Sequence, residues 1–441
     1  MASTYLTKTF GSAGNRKTWT FSAWIKKTAL DVEQNILMGG NTSYNDAYIR
    51  ITGGNQLRFL MPDGTTTVGT LNTTQVLRDT SAWYHIVCVY DSSNATSSER
   101  MRIYINGNRI TDFSTELYPS QNQDSFNINN ASPHYIGAKH DATTFFDGSM
   151  SHIHFIDGTV YTPSAFGETD ANGVWKIKTD VSVTYGTNGF FILKNGNSVT
   201  DQSGNSNNFT ISGGTLTNTE DCPSNVFATL NPLDYSPNPA TLENGNTSYN
   251  KSSTGAGNNA SMTGTLGAMT GKWYYEFKPT NTSSFVTGMI RTNHDLPNVQ
   301  GYYATDAGSY SITNSGKIVG GSESSVSYSY SANDIFGMAY DLDNGKFYFH
   351  VNGTYINSGD PTSGATGTGS LGDIALGSNI YVPLVSNANY DQTNLMHFNF
   401  GNGYFGTTAV SSAGTNASGI GIFEYDVPSG YTALSTKGLN L

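Results

Sequence analysis

The sequence predicts an all-β chain: two β-sandwich, jelly-roll-like domains joined by a Pro-containing connector. Three observations carry this. Apolar residues alternate at period two in short segments, the pattern of half-buried strands. Glycine supplies 49 of 441 residues, so the chain must turn often, and Asn, Asp and Ser accompany it at the turns. Charged residues are only 12% and aromatic residues also 12%, which is too little charge for a typical disordered chain and enough Tyr and Phe to fill cores.

The elements follow in chain order. Thr18 to Lys26 alternates as a strand. Tyr48-Ile49-Arg50-Ile51-Thr52, then Gly53-Gly54-Asn55, then Gln56 to Met61 reads as a hairpin. Trp83 to Tyr90 is a further strand that holds Cys88, read as a buried inert thiol. Met101 to Ile105 runs into Asn106-Gly107-Asn108 and Arg109-Ile110. Asn-Gly after alternating apolar residues is a strong hairpin signal, because both central positions take positive φ.

The ordered pieces Trp83-Tyr84-His85-Ile86-Val87, Tyr104-Ile105-Asn106-Gly107, Tyr135-Ile136-Gly137 and Phe146 to Ile153 resemble a laminin G-like domain over residues 1–212. That resemblance implies two antiparallel sheets packed face to face. Two further stretches, Tyr5 to Lys27 and Asp201 to Leu233, look like the laminin G-like, concanavalin A-like modules of tail and surface proteins of marine tailed bacteriophages. Residues 213–245, with Pro223, Pro232, Pro237 and Pro239 and little periodicity, read as the connector. From residue 246 to 441, Gly271 to Phe277, Asp334 to Asp341, Lys346 to Gly353, Val382 to Val385, Phe398 to Gly401 and Pro428 to Tyr431 resemble a SPRY domain. Its middle hairpin turns through Asp343-Asn344-Gly345.

Chemistry is sparse. The net charge of −11 and the lack of a Lys/Arg run argue against nucleic acid as a partner. No apolar run is long enough to span a bilayer, and the N-terminal residues have no signal-peptide core. The resemblance to phage surface modules implies a virion setting, with synthesis in the host cytoplasm. Hydrolysis of glycans by a retaining route needs two carboxylates on one strand face, and no Glu-x-Asp-x-Glu run exists. Asp341 and Asp343 read as turn residues, and Glu424 and Asp426 as a terminal strand edge. His152 and His154 share a strand face by spacing, half of a metal site at most.

The laminin G resemblance implies calcium at a sandwich rim, with Asp46 and Asp147 the candidate ligands; both also read as ordinary turn residues. No other cofactor is expected. For binding, Tyr44 with Asp46, and Tyr302 with Tyr303, offer aromatic and polar groups in loops. The expected function is non-enzymatic: a tail fibre or surface adhesin that binds a host-surface glycan or a partner protein. A head-decoration or tail cement protein and a polysaccharide-trimming glycosidase are the alternatives. Expected partners are other virion proteins and, for a fibre, further copies of the chain, though no heptad or collagen repeat enforces an oligomer.

Overall fold

The computed structural model describes residues 3–41, 46–194, 198–236, 240–252, 260–294, 307–387 and 392–440. The chain forms two compact units, residues 1–218 with 222–224, and residues 219–221 with 225–441. Both are built of antiparallel strands, apart from a short parallel pairing of Thr432–Ala433 with Lys272–Pro279 in the second. The described helical residues are short 3-10 turns, such as Pro163–Ala165 and Pro361–Thr366.

In the first unit an eight-stranded sheet runs Phe113–Leu117, Thr67–Val76, Gln56–Pro62, Ala47–Ile51, Gln34–Gly39, Pro133–Ile136, Tyr5–Thr9, Thr210–Ser212. The last strand pairs with the first, Leu6 opposite Ile211, so this unit closes on the strand that opens it. A six-stranded sheet carries Phe190–Ile192, Gly148–Asp157, Thr18–Lys27, Tyr84–Asp91, Met101–Ile105 and Asn108–Arg109. Side chains alternate across each strand. Trp19, Phe21, Ala23 and Ile25 therefore meet Ile49, Ile51, Leu57 and Phe59 in one buried core. Cys88 lies in it too, fully buried, and both cysteines are free thiols.

The turn chemistry is as expected at two places. Gln56–Pro62 pairs with Ala47–Ile51 through Gly53-Gly54-Asn55, where Asn55 has φ +61°. Asn106 and Gly107 both take positive φ, +49° and +82°. In the second unit the expectation fails at Asp343-Asn344-Gly345: of these three only Gly345 has positive φ. The Asp341 carboxylate shapes that turn instead, accepting from the amides of Asp343 (3.1 Å) and Asn344 (2.9 Å). The turn with two positive-φ residues comes one strand later, at Asn352-Gly353.

The second unit has a seven-stranded sheet, Leu230–Tyr235, Ser261–Gly264, Tyr381–Asn387, Phe285–Arg291, Ser309–Thr313, Gly316–Val319 and Ser322–Ser325. Its other sheet centres on Lys272–Pro279, paired with Phe336–Asp341 and Asn394–Asn399. Trp273, Tyr275, Phe277, Phe336 and Phe398 fill the space between them. The connector expectation is corrected here. Leu230–Tyr235 and Thr241–Glu243 are strands of these two sheets. Pro232 is accommodated because Leu230–Tyr235 is an edge strand with a register shift along its length.

The two sequence stretches that open and close the first unit are explained by buried carboxylates. Asp157 Oδ1 accepts from Asn15 N and Asn129 Nδ2, each at 2.7 Å, and Oδ2 accepts from Asn188 N at 3.0 Å. Gly14 lies against this cluster, and a Cβ there would fall 2.4 Å from Asn129 Oδ1. Asp201 does the same for the closing loop, accepting from the amides of Phe191, Ser203 and Asn207 at 2.8–2.9 Å. Asn205 and Asn207 both donate to the Gly189 carbonyl, 2.9 Å each. These Asn, Gly and Ser positions are the inside of a hydrogen-bonded knot rather than a recognition surface.

Asp157→Ala should therefore unfold the first unit early. It strands several buried donors at about 1–3 kcal/mol each, so a loss of about 3 kcal/mol or more is expected in chemical denaturation. A change below about 1 kcal/mol would refute the organising role.

Candidate functional site

Each unit carries a second, smaller core on the outside of one sheet. In the first unit Val87, Val89, Tyr104 and Ile156 face outward from the six-stranded sheet and are covered by Phe166, Val160, Tyr161, Val183 and Tyr185 of the following segment. The covering segment includes a small hairpin, Gly167–Thr169 paired with Trp175–Ile177. Where that hairpin meets the sheet there is a cleft of about 490 Å³. Trp24, Trp83 and Trp175, three of the five tryptophans in the chain, line it together with Asn106, Asn108 and Thr169.

Local sequence explains each wall. Trp19, Phe21, Ala23 and Ile25 point to the main core, so Trp24 emerges on the opposite face of the same strand. Asn106-Gly107 is the tight turn after Met101–Ile105, which presents Asn108 to solvent. Trp175 lies against two glycines, since a Cβ on Gly107 or on Gly167 would stand 2.6 Å from its ring.

Behind the cleft His85 is fully buried. Its ring stacks between Trp24 (4.8 Å, 16°) and Trp175 (5.8 Å, 18°). Trp175 Nε1–H donates to His85 Nδ1 at 3.0 Å, which leaves Nε2–H to donate to Ser22 Oγ at 2.9 Å. Burial holds His85 down near 3, so the ring stays neutral and acts as a fixed spacer. The indole Nε1 of Trp24 is buried and has no hydrogen-bond partner among the described residues. The cleft thus joins aromatic rings with the amide groups of Asn106 and Asn108 and the hydroxyl of Thr169. No carboxylate lines it.

The expected site residues fare differently. Tyr44, Tyr302 and Tyr303 lie outside the described residues. Asp46 is buried, with Oδ2 3.1 Å from His140 Nδ1, and burial raises its carboxyl above the ordinary range. Asp147 Oδ1 accepts from the Thr28 hydroxyl at 3.0 Å, and its amide donates to Gln34 Oε1 at 3.0 Å. No group of three or more His, Cys, Asp or Glu suited to a metal occurs among the described residues.

His152 and His154 do not form a regular same-face pair. The strand register shifts between Ser151 and His154, and His152 has φ +48°. His154 stacks on Phe191 at 4.0 Å and bonds Tyr185 through Nδ1 at 2.8 Å, as a core residue does. Glu424 and Asp426 are in a loop rather than on a strand edge, where Glu424 accepts from Ser411 and Asp426 from Thr415.

The second unit places a carboxylate where none was expected to matter. Glu276 is fully buried under the C-terminal segment. It accepts from the amides of Glu424 and Tyr425 (2.9 Å each), from Tyr274 Oη–H (3.1 Å) and from Asn399 Nδ2 (3.2 Å). Gly353 N–H donates to His350 Nδ1, so His350 Nε2–H donates to Tyr274 Oη at 2.7 Å. This relay anchors Phe423 and Val427 over Tyr274 and Tyr348. A cleft of about 440 Å³ nearby is lined by Lys272, Trp273, Asp343 and Tyr431. Their polar atoms are already engaged: Trp273 Nε1 with Thr270 O, Lys272 with Asp341, and Asp343 with Gly271 N.

Residues 2–165 match the concanavalin A-like lectin/glucanases superfamily. The SPRY domain of human HERC1 is similar at 13% identity and a TM-score of 0.30, over 38% of this chain and 96% of that one. The TRIM65 PSpry domain is similar at 11% identity and a TM-score of 0.29, over 39% and 88% respectively. No curated protein matches the chain by sequence. The stretch that matches the lectin/glucanase model lies in the first unit, and in the second the strands Lys272–Pro279, Phe336–Asp341, Lys346–Val351, Tyr381–Asn387 and Asn394–Asn399 carry the motif series in order on two sheets.

Glu276 yields a pH prediction. Burial pushes its carboxyl from an ordinary 4.5 up to about 7. The folded state therefore holds the proton more tightly than the unfolded chain. Its contribution is full below about pH 4.5 and is lost as pH rises through about 7. Glu276→Gln should remove that loss, about 3 kcal/mol across the window. Calorimetric unfolding of both proteins from about pH 4.5 to just above about pH 7 checks it, and parallel profiles would disprove it.

Proposed function

We propose that this chain is a non-catalytic binding protein displayed on a bacterial-virus particle, and that it seats a saccharide of the host surface in the Trp24–Trp83–Trp175 cleft. The observation that carries the reading is the cleft itself. Sugar sites pair aromatic faces, which cover the C–H side of a pyranose, with amides that meet its hydroxyls. Asn106, Asn108 and Thr169 supply the polar part. The match to a superfamily of lectins and glucanases supports saccharide over other small ligands.

Binding without turnover is favoured because the lining has no acid and base pair. The virion setting rests on the resemblance of the Tyr5 to Lys27 and Asp201 to Leu233 stretches to phage surface modules. An adhesin role follows from the two together.

Purified chain should bind host cells and retain neutral oligosaccharides on an array. Asn108→Ala, at an exposed cleft position, should weaken this without lowering Tm. Trp175→Ala should weaken it about tenfold or more, the worth of about 1.4 kcal/mol. Release of reducing sugar would overturn the non-catalytic reading. Binding to phage particles but not to cells would point to a cement role instead.

A further inference from the structure

We infer that Lys27 and Asn55 are the two halves of a self-forming isopeptide bond, a covalent tie across the sandwich of the first unit made by its own side chains with the help of Asp31. It concerns the inside of the sandwich and does not depend on the tryptophan cleft.

The register brings the partners together. Trp19, Phe21, Ala23 and Ile25 face the main core, and Lys27 is the next position of that series, at the end of strand Thr18–Lys27. On the other sheet Leu57 and Phe59 face the same core, and Asn55 is the position before them, at the close of the Gly53-Gly54-Asn55 turn. A lysine and an asparagine thus stand in core-facing places, 0% and 1% exposed. The Asn55 backbone is tied on both sides, donating to Thr52 O at 2.8 Å and accepting from Leu77 N at 2.7 Å.

The contacts are those of a poised acyl transfer. Lys27 Nζ donates to Asn55 Oδ1 at 2.6 Å and to the Leu77 carbonyl at 3.0 Å. Both acceptors are neutral, so an ammonium here is buried at high cost, and an apolar side chain would serve packing better. Asp31 meets the same amide twice. Its backbone N–H donates to Asn55 Oδ1 at 3.0 Å, and its Oδ1 accepts from Asn55 Nδ2 at 2.7 Å. Asp31 and Asn55 both adopt positive φ, +58° and +61°, which is uncommon outside glycine and recurs where a site imposes it.

Each group has a part in the reaction. Burial pulls the Lys27 ammonium down to about 8, with the Asp31 charge opposing, so the free amine is well populated in mildly alkaline water. The amide carbon is one C=O bond, about 1.2 Å, behind Oδ1. Nζ need only swing from beside that oxygen to above the carbon. The Asp31 N–H is already in place for the oxygen as it becomes negative. The Nζ–Cγ bond forms and the Cγ–Nδ2 bond breaks. The proton shed by the attacking amine passes to the Asp31 carboxylate and from it to Nδ2, which leaves as ammonia. One amine and one primary amide thus give one secondary amide and ammonia, with no further reactant. Asp31 is exposed, which opens the amide to water on the side where ammonia departs.

The product joins the end of a strand in the six-stranded sheet to a turn of the eight-stranded sheet, between residues 28 positions apart. Such a link restricts the unfolded chain as a disulfide does, in a chain whose two cysteines are free thiols. It also removes the buried charge, since a neutral amide replaces the ammonium.

The test is the denatured mass of the full chain, as purified and after incubation of the folded protein at a pH just above about 8. The parent should be lighter than its sequence by one ammonia. A digest should contain a branched peptide that holds both Lys27 and Asn55. Asp31→Asn keeps the backbone N–H and tolerates positive φ, so it should fold and yet retain its full sequence mass. Lys27→Met should retain its full mass as well, which shows that no ammonia is lost elsewhere. The parent mass decides by itself, whatever the fold of the variants. The proposal is overturned if the parent keeps its full sequence mass after the alkaline incubation. It is equally overturned if the loss maps to other residues, or if Asp31→Asn loses ammonia as completely as the parent.

Discussion

Both units are shaped by a sheet whose outer face cannot be left to water. Val87, Val89, Tyr104 and Ile156 in the first unit, and Tyr274, Ala339 and Tyr348 in the second, are too apolar for exposure. Long segments must fold back over them. Such segments are mostly irregular, so their backbone amides bring unpaired donors against an apolar surface. The cover is stable only if the sheet offers acceptors inside. Glu276 does this for the amides of Glu424 and Tyr425, and His85 does it for the Trp175 indole.

The same logic accounts for the carboxylates of the first unit. Asp157 and Asp201 are nearly buried, and among the described residues each is answered by several N–H groups rather than by a cation. A carboxylate with several such donors is an economical way to tie loops that have no ladder of their own. Asp157 joins segments near residues 15, 129 and 188, which are far apart in the chain. The polar stretches that open and close this unit are therefore fold determinants, whatever particle the chain belongs to.

Function then falls to what the cover leaves open. Where the Trp175 hairpin stops short, three tryptophans and two asparagines remain around one cleft. The opposite sheet has its outer face kept polar by Asn35, Arg50, Arg58 and Asn72. The two outer faces of one sandwich thus differ in kind. One is aromatic and walled by a hairpin, and the other sets two arginines beside buried Met38, Tyr48 and Leu60.

Class and hairpins were legible from the sequence because they depend on local chemistry. Alternation sets which residues of Thr18–Lys27 face the core, and Asn106-Gly107 permits the positive φ of a tight turn. The cleft was only partly legible. Trp24 sits among outward residues of an alternating strand, and an aromatic there was a usable signal. Its meeting with Trp83 and Trp175 was not, because that depends on a covering segment whose position no periodicity encodes. The same limit explains the misread connector. Leu230–Tyr235 and Thr241–Glu243 lack alternation, and they are strands because the sheets of the second unit present edges to pair with. Local spacing also misjudged His152 and His154, since a register shift is a property of the pairing and not of either strand alone. Residue types and turns are written in the chain; which distant groups share a rung, a knot or a cleft is decided only when the sheets pack.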